Sequence, residues 1–316
     1  GGGVGKCIAE WIIDGEPSID VWAMDVARFG DYASPQYGTI KSSENYERRF
    51  IMTFPNETLP KGRKQKTTAL YDRFVNQGAV MGDSFGLENV LWFANNKEDA
   101  HEEPTIKRSR SHDYVSKEVI NVRENVGLIE VANFSKHEFK GPDARKFLDH
   151  IMAGRLPKPG RISLSPMLSY RGKLCGDLTV ACLDENEFMV FGSGAAQEMH
   201  RRWFESHIDK FNLSYSNRSD EYHGLSIAGP NSRKVLEKIV RDDVSNEKFK
   251  FRDSRRMFVG GVPAIINRIS FTGELGYEIY VAPHYQLKLY EELMEAGKEF
   301  NIKPFGGRAL MSMRLE

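Results

Sequence analysis

Residues 141–152 read GPDARKFLDHIM and residues 229–240 read GPNSRKVLEKIV, so the chain writes one short motif twice. Six of the twelve positions are identical, and most of the others are conservative pairs such as Asp143 against Asn231 and Ala144 against Ser232. Pro at a helix start, with an apolar stripe through Phe147, Leu148 and Ile151, makes each copy a strand-to-helix corner. Further on, the first copy is followed by Asp177-Leu178-Thr179-Val180-Ala181 and the second by Glu278-Ile279-Tyr280-Val281-Ala282. Both read acid, aliphatic, hydroxyl, Val, Ala. A duplicated unit ordinarily packs against its twin about a pseudo-twofold axis. The expectation is a duplicated α+β domain with Asp177 and Glu278 at equivalent positions facing one central site. A chance likeness between two surface acids is the alternative.

Around these corners the pattern is regular. It predicts a helix over 119–126, a strand over 129–134, and strands over 162–169 and 173–182 joined at Arg171-Gly172. A further strand over 187–191 and a helix over 195–208 close the first unit. The second opens at Leu225-Ser226-Ile227-Ala228. Strands and helices in this order suit largely antiparallel sheets. Residues 31–94 are rich in aromatics and turns, suiting strands and short helices that cover a neighbouring domain. Residues 95–114 are polar and charged and read as an exposed loop, its Lys107-Arg108-Ser109-Arg110 cluster solvated.

Lys+Arg and Asp+Glu are both 44, a net charge of zero that argues against a nucleic-acid partner held by bulk positive charge. With 40% hydrophobic and 28% charged residues the composition is that of a globular protein. Cys7, Cys175 and Cys182 form no CxxC pair, so free thiols in a reducing compartment are expected. No apolar run approaches the ~18 residues of a membrane span, and no membrane partner is expected. The chain opens on Gly1-Gly2-Gly3-Val4-Gly5-Lys6 without Met and closes in helix formers without a cap. Both ends read as cut through structured elements of a longer polypeptide.

Three stretches carry chemistry. Gly176-Asp177 places an acid early in a strand beside a glycine that admits a close neighbour. That acid is either a proton acceptor or one satisfied by backbone N–H groups. Phe271 to Val281, FTGELGYEIYV, sets an aromatic and Glu278 around a Gly-flanked bend. An aromatic face plus a carboxylate suits a flat heterocycle with adjacent N–H donors, although for Phe271 alone plain core packing is the favoured reading. The opening glycines, Gly2 and Gly3 among them, resemble an anion or carbonyl site before a helix. No dinucleotide fingerprint, P-loop or nucleophile elbow is present. None of the eight histidines has a metal-ligand spacing, His101, His112 and His223 have loop-like surroundings, and no metal is expected.

On these residues a resemblance can be stated. GRISLSPMLSYRGKLCGDLTVACL, FTGELGYEIYV and ALMSMRLE resemble the folate-binding domain of glycine cleavage T-proteins. They are more similar to the version fused to flavin-dependent dimethylglycine and sarcosine dehydrogenases. GGGVGKCIAEWIIDGEP and VWAMDVARFG resemble the end of the FAD-binding domain of those fusions, and ALYDRFVNQGAVMGDSFGLENVLWFA resembles their central segment. The resemblance implies three regions: 1–30 as the FAD-domain tail, 31–111 as the central segment, and 112–316 as the folate domain.

It also implies an intact enzyme that oxidises a small N-methylated amine with FAD and passes the resulting iminium to tetrahydrofolate. The electron acceptor is left open between a protein and oxygen. The location is cytoplasmic, or the mitochondrial matrix in a eukaryote. Asp177 takes the place of the family's folate-site acid, Thr179 of a folate contact, and Glu278 of the carboxylate that pairs with the pterin. Phe271 and Leu164 stand where the family carries Tyr, and Leu310 where it carries Arg, with Arg308 the nearest substitute. Two other readings are carried: a folate-dependent aminomethyl- or methyltransferase without redox chemistry, and a non-catalytic folate-binding module. The fragment alone is expected neither to hold FAD nor to turn over an amine.

Overall fold

The computed structural model describes residues 1–315. The opening glycines lie within helix α1 (Gly2–Asp14) rather than in a turn before it, and the helix stops at Gly15 in the left-handed conformation. Helix α2 (Pro35–Glu47) follows, with Ser34 accepting from the Tyr37 N–H and Pro35 in its first turn. Then come α3 (Tyr71–Asn76) and the hairpin of β1 (Ala79–Ser84) and β2 (Leu87–Phe93). The charged loop after it is tied to itself, Arg110 pairing with Asp99 at 3.1 Å and Glu103 at 2.6 Å.

Helix α4 (Ser111–Glu124) leads into β3 (Val126–Glu130) and β4 (Phe134–Lys140), then α5 (Ala144–Ile151). The strand expected over 129–134 is split between the end of β3, a turn at 131–133 and the first residue of β4. The antiparallel run β5 (Arg161–Leu168), β6 (Leu174–Asp184) and β7 (Glu187–Ser193) follows, closed by α6 (Gln197–Glu205). The chain then lays down β8 (Ser214–Asn217), β9 (His223–Ala228) and α7 (Ser232–Ile239). After these come β10 (Ser254–Val259), β11 (Val262–Asn267), β12 (Gly276–Val281) and α8 (Gln286–Ala296). Strand β13 (Ile302–Pro304) and α9 (Gly307–Arg314) complete the described residues.

Both copies of the repeated motif are strand-to-helix corners. Gly141 and Gly229 turn them at φ of 139° and 128°, a conformation that a side chain would strain. A Cβ at Gly229 would also stand 2.4 Å from the Val122 carbonyl oxygen. The prolines lie in the turn just ahead of the helices, which begin at Ala144 and Ser232.

One sheet has the order β5-β6-β7-β4-β8 and the other β10-β11-β12-β9-β3-β13. Pairing is antiparallel throughout except β13 on β3. The order of pairings runs twice: corner strand, then the last, middle and first strands of the following run. In each sheet the far side of the corner strand is taken by the leading strand of the other run, β8 on β4 and β3 on β9. This order corrects one expectation. Asp177 lies on the middle strand of its run and Glu278 on the last strand of its own, so the two acids are not equivalent. The likeness of DLTVA to EIYVA reflects the shared alternation of half-buried strands.

Three cores set the layers. Phe147, Leu148 and Ile151 of α5 and Phe204 of α6 cover the outer face of the first sheet with Leu178, Val180 and Val190. Leu236 of α7 and Leu289 and Leu293 of α8 cover the outer face of the second, and Leu70, Phe74 and Val90 join that same core. Between the sheets lie Ile129, Ala181, Met189, Phe191, Ile265 and Tyr280. Each buried aliphatic or aromatic side chain contributes about 1.5–3 kcal/mol. At one edge the sheets are joined by backbone, Ile162 donating to Arg252 at 2.8 Å and Ser254 to Gly160 at 2.9 Å.

Candidate functional site

The two-residue period of β12 puts Tyr277, Ile279 and Val281 in the outer core and leaves Glu278 and Tyr280 facing between the sheets. Glu278 is 4% exposed. Its Oε2 accepts the Tyr280 hydroxyl at 2.8 Å. Burial pushes its carboxyl up to about 7, against the Tyr280 hydrogen bond and the Lys136 charge, which lower it. The same burial raises the Tyr280 phenol.

Two polar neighbours stand directly opposite Glu278 in register: Ser226 on β9 and Asn267 on β11. Asn267 is fully buried; its Oδ1 accepts the Ser254 hydroxyl at 2.7 Å. Its Nδ2 has no hydrogen-bond partner. A buried amide N–H without a partner costs about 1–3 kcal/mol, which a ligand acceptor would recover. Gly224 on β9 makes the arrangement possible. It lies opposite Tyr280, and a Cβ there would meet the ring at 2.6 Å.

The first sheet supplies the facing wall. Asp177, Thr179 and Ala181 share one face of β6 by the strand period, and Ala181 belongs to the inter-sheet core. Thr179 is buried and lies opposite Leu164 on one side and Phe191 on the other. Phe191 stacks on Tyr280 with centroids 4.5 Å apart and planes at 28°, so Thr179, Phe191, Tyr280 and Glu278 form one continuous wall. Asp177 sits exposed at its rim, opposite Pro166. The hairpin that carries it is tethered to the N-terminal segment, Lys173 donating to the Ser18 carbonyl at 2.7 Å and Arg171 pairing with Glu16 at 2.8 Å.

Phe271, 38% exposed, lies in the loop before β12. Its ring packs on Phe134 at 5.5 Å, and the Arg314 guanidinium stands 5.6 Å from its centroid. Arg308, expected as a stand-in cation, is committed elsewhere: it donates to Ser111 Oγ at 2.7 Å and pairs with Glu102. Leu310 packs against the inter-sheet core. Leu164 is 58% exposed. Gly2 and Gly3 are exposed at the start of α1, with nothing within 4 Å of a Cβ built on either, apart from these walls. His223 holds Gln286 at 3.3 Å, burial keeping its ring below the usual value. Among the described residues no group of three or more His, Cys, Asp or Glu is placed to hold a metal ion. No helix among them is long and apolar enough to cross a membrane.

Sequence reasoning set Tyr280 against Thr179 without giving it a role, and missed Asn267, Arg314 and Lys136. Tyr280 was within reach as the next residue on the face of Glu278, whereas register alone brings Asn267 there.

Two sheets, antiparallel but for β13 on β3, pack face to face with helices outside. The structure aligns with the glycine cleavage system aminomethyltransferase T from Bartonella henselae at a TM-score of 0.65 and 23% identity, over 79% of this chain and 62% of that one. The chain belongs to the family of the GCVT N-terminal domain, whose model matches residues 70–316. The FAD dependent oxidoreductase central domain matches residues 14–68. Over its whole length the chain is 35% identical to mitochondrial dimethylglycine dehydrogenase of Mus musculus and 27% identical to mitochondrial sarcosine dehydrogenase of Homo sapiens. It spans 36% and 39% of their lengths.

Proposed function

We propose that this chain carries the tetrahydrofolate site, and part of the flavoprotein, of an oxidative N-demethylase of small methylated glycines. The observation that carries the reading is the pairing of Glu278, one oxygen held by Tyr280, with the unpartnered Asn267 amide beside it. A carboxylate in that setting accepts two parallel N–H donors from a pterin edge, and the amide offers a donor to a ring acceptor. Thr179 and the Phe271 ring line the approach. Asp177 at the rim is free of the core and reaches solvent, as a group that takes a proton from a reacting nitrogen must. Tetrahydrofolate, when bound, supplies the nitrogen nucleophile that takes up the one-carbon unit. Glu278 then orients the ring, the apolar wall excludes water, and Asp177 moves the proton.

The flavin has a weaker footing in these residues. The exposed glycines of α1 form no cradle, so the chain supplies no step through FAD. Flavin absorbance co-purifying with the 316 residues would overturn that part. Because Leu70, Phe74 and Val90 share the core of the second sheet, we place the domain boundary at residues 68–70 rather than at 111. In a eukaryote we infer a mitochondrial location, the word that the relatives' names carry.

Calorimetric titration with tetrahydrofolate tests the site. Glu278→Gln should weaken binding tenfold or more, about 1.4 kcal/mol. Asp177→Ala should retain binding and lose one-carbon transfer in the longer protein. Wild-type protein that binds no folate would sink the reading.

A further inference from the structure

A fully buried lysine stands beside the Tyr280 ring that holds Glu278. Lys136 of β4 is 0% exposed. Its Nζ donates to the Ala132 carbonyl at 2.7 Å and the Ser219 carbonyl at 3.3 Å, and its backbone N–H donates to Ser219 Oγ at 2.9 Å. Among the described residues no carboxylate lies within ion-pair distance of it. A buried charge held only by neutral carbonyls is costly and needs compensation from its surroundings. The charged groups around it come from four elements. Asp220, before β9, is engaged by Lys66 at 3.0 Å. Glu130 of β3 accepts from the Gln286 amide. Lys66 itself opposes Lys136. Asp220 and Glu130 act on it most, and Glu278 of β12 is reached across the Tyr280 ring, whose centroid is 6.0 Å from Nζ and whose hydroxyl binds the carboxylate.

We propose that Lys136 is a positioning residue for this site: its positive charge opposes the protonation that burial favours at Glu278, and so helps set the pH range over which the site accepts paired N–H donors. Burial drives the two groups together: the amine goes down to about 7, opposed by Asp220, Glu130 and then Glu278, and the carboxyl goes up to about 7, opposed by the Tyr280 hydrogen bond and then the Lys136 charge. His223, the nearby imidazole, is held neutral by burial and adds no charge. The ligand's identity rests on the folate reading; the charge coupling does not.

The test uses Lys136→Met, Lys136→Gln and Lys136→Arg, with melting temperatures to confirm folding. Difference infrared spectroscopy follows the protonated-carboxyl band of Glu278, assigned by its loss in Glu278→Gln. In the two neutral variants the Glu278 midpoint should rise by about one pH unit, the lower end for loss of a nearby opposite charge. In Lys136→Arg it should stay at or below the wild-type value. Tetrahydrofolate titration should then show affinity roughly fivefold weaker at pH 7, converging on wild type by about pH 9, as the ionised fraction dictates. An unmoved midpoint in either folded neutral variant overturns the proposal, and so does an affinity loss equal at every pH, which marks a merely structural lysine. If wild-type protein binds no folate, the functional reading falls and the infrared midpoint still decides this one.

Discussion

Replacing Tyr280 by Phe removes one hydroxyl from a fully packed place and leaves the ring that stacks on Phe191. That hydroxyl is the donor to Glu278, at 2.8 Å and out of water. A hydrogen bond to a charged acceptor is worth about 1.5–3 kcal/mol and one between neutral groups about 0.5–1.5 kcal/mol. The loss should therefore depend on whether Glu278 is ionised. Its folded value is raised from 4.5 to about 7, so the folded state holds the proton more tightly. Stability from this group is complete below pH 4.5 and is lost as pH rises through 7. At pH 5 the folded carboxyl is protonated and Tyr280→Phe should cost about 0.5–1.5 kcal/mol. At pH 8.5 it is ionised and the cost should be about 1.5–3 kcal/mol. The difference of about 1 kcal/mol moves the Glu278 midpoint up by nearly one unit. Urea denaturation at the two pH values, checked for coincident transitions by fluorescence and circular dichroism, measures both costs. Equal losses at pH 5 and 8.5, or a larger loss at pH 5, would refute the reasoning.

Other expectations follow from particular contacts. Gly224→Ala forces a methyl to within 2.6 Å of the Tyr280 ring and should destabilise by about 1–3 kcal/mol in the same urea assay. Asp177→Asn lies at an exposed position, so stability should change by less than about 0.5 kcal/mol. Folate-coupled turnover of the longer protein should nonetheless fall by about 10²-fold or more. Glu118 accepts backbone N–H groups from Phe93 at 2.7 Å and Gly306 at 3.0 Å, yet burial pushes it up to about 7. Stability should accordingly fall as pH rises from 4.5 to 7, by on the order of 1–3 kcal/mol. Glu118→Gln should flatten that slope in denaturation curves taken across the window.

Much of the architecture was legible because the corners carry their own signals: a glycine that must turn with positive φ, a proline, then an apolar helical stripe. The strand β4 was not. Phe134 to Lys140 reads Phe-Ser-Lys-His-Glu-Phe-Lys, a polar string with the look of a loop, and its five central residues are all buried. Burial of Lys136 and His137 is imposed by sheets and helices distant in sequence, through contacts such as His137 Nδ1 with the Tyr215 hydroxyl at 2.9 Å. Local periodicity holds no trace of such partners. Arg308 shows the same limit. Its place in the chain suggested the cleft, but Glu102, far away in sequence, claims it.

The repeated motif led to the cleft by a false equivalence, and the true correspondence is more informative. Each run ends in a short turn and a helix that opens on Gln, Gln197 for α6 and Gln286 for α8. Counting back equally from these residues sets Tyr280 against Phe191, and Glu278 against Met189. Tyr280 and Phe191 are the rings that stack on each other. Register extends the comparison: Asn267 faces Glu278 on its neighbouring strand, and Ala181 faces Met189 on the corresponding one. The two runs thus bring matching backbone to the centre and opposite chemistry, carboxylate and amide on one side, thioether and methyl on the other. The buried carboxylate and amide both lie on the second sheet. The first sheet contributes a dry face, with Thr179 and the rim acid Asp177 at its open end. For the folate proposed here, that one-sided chemistry would turn the hydrogen-bonding edge of the ring toward β12.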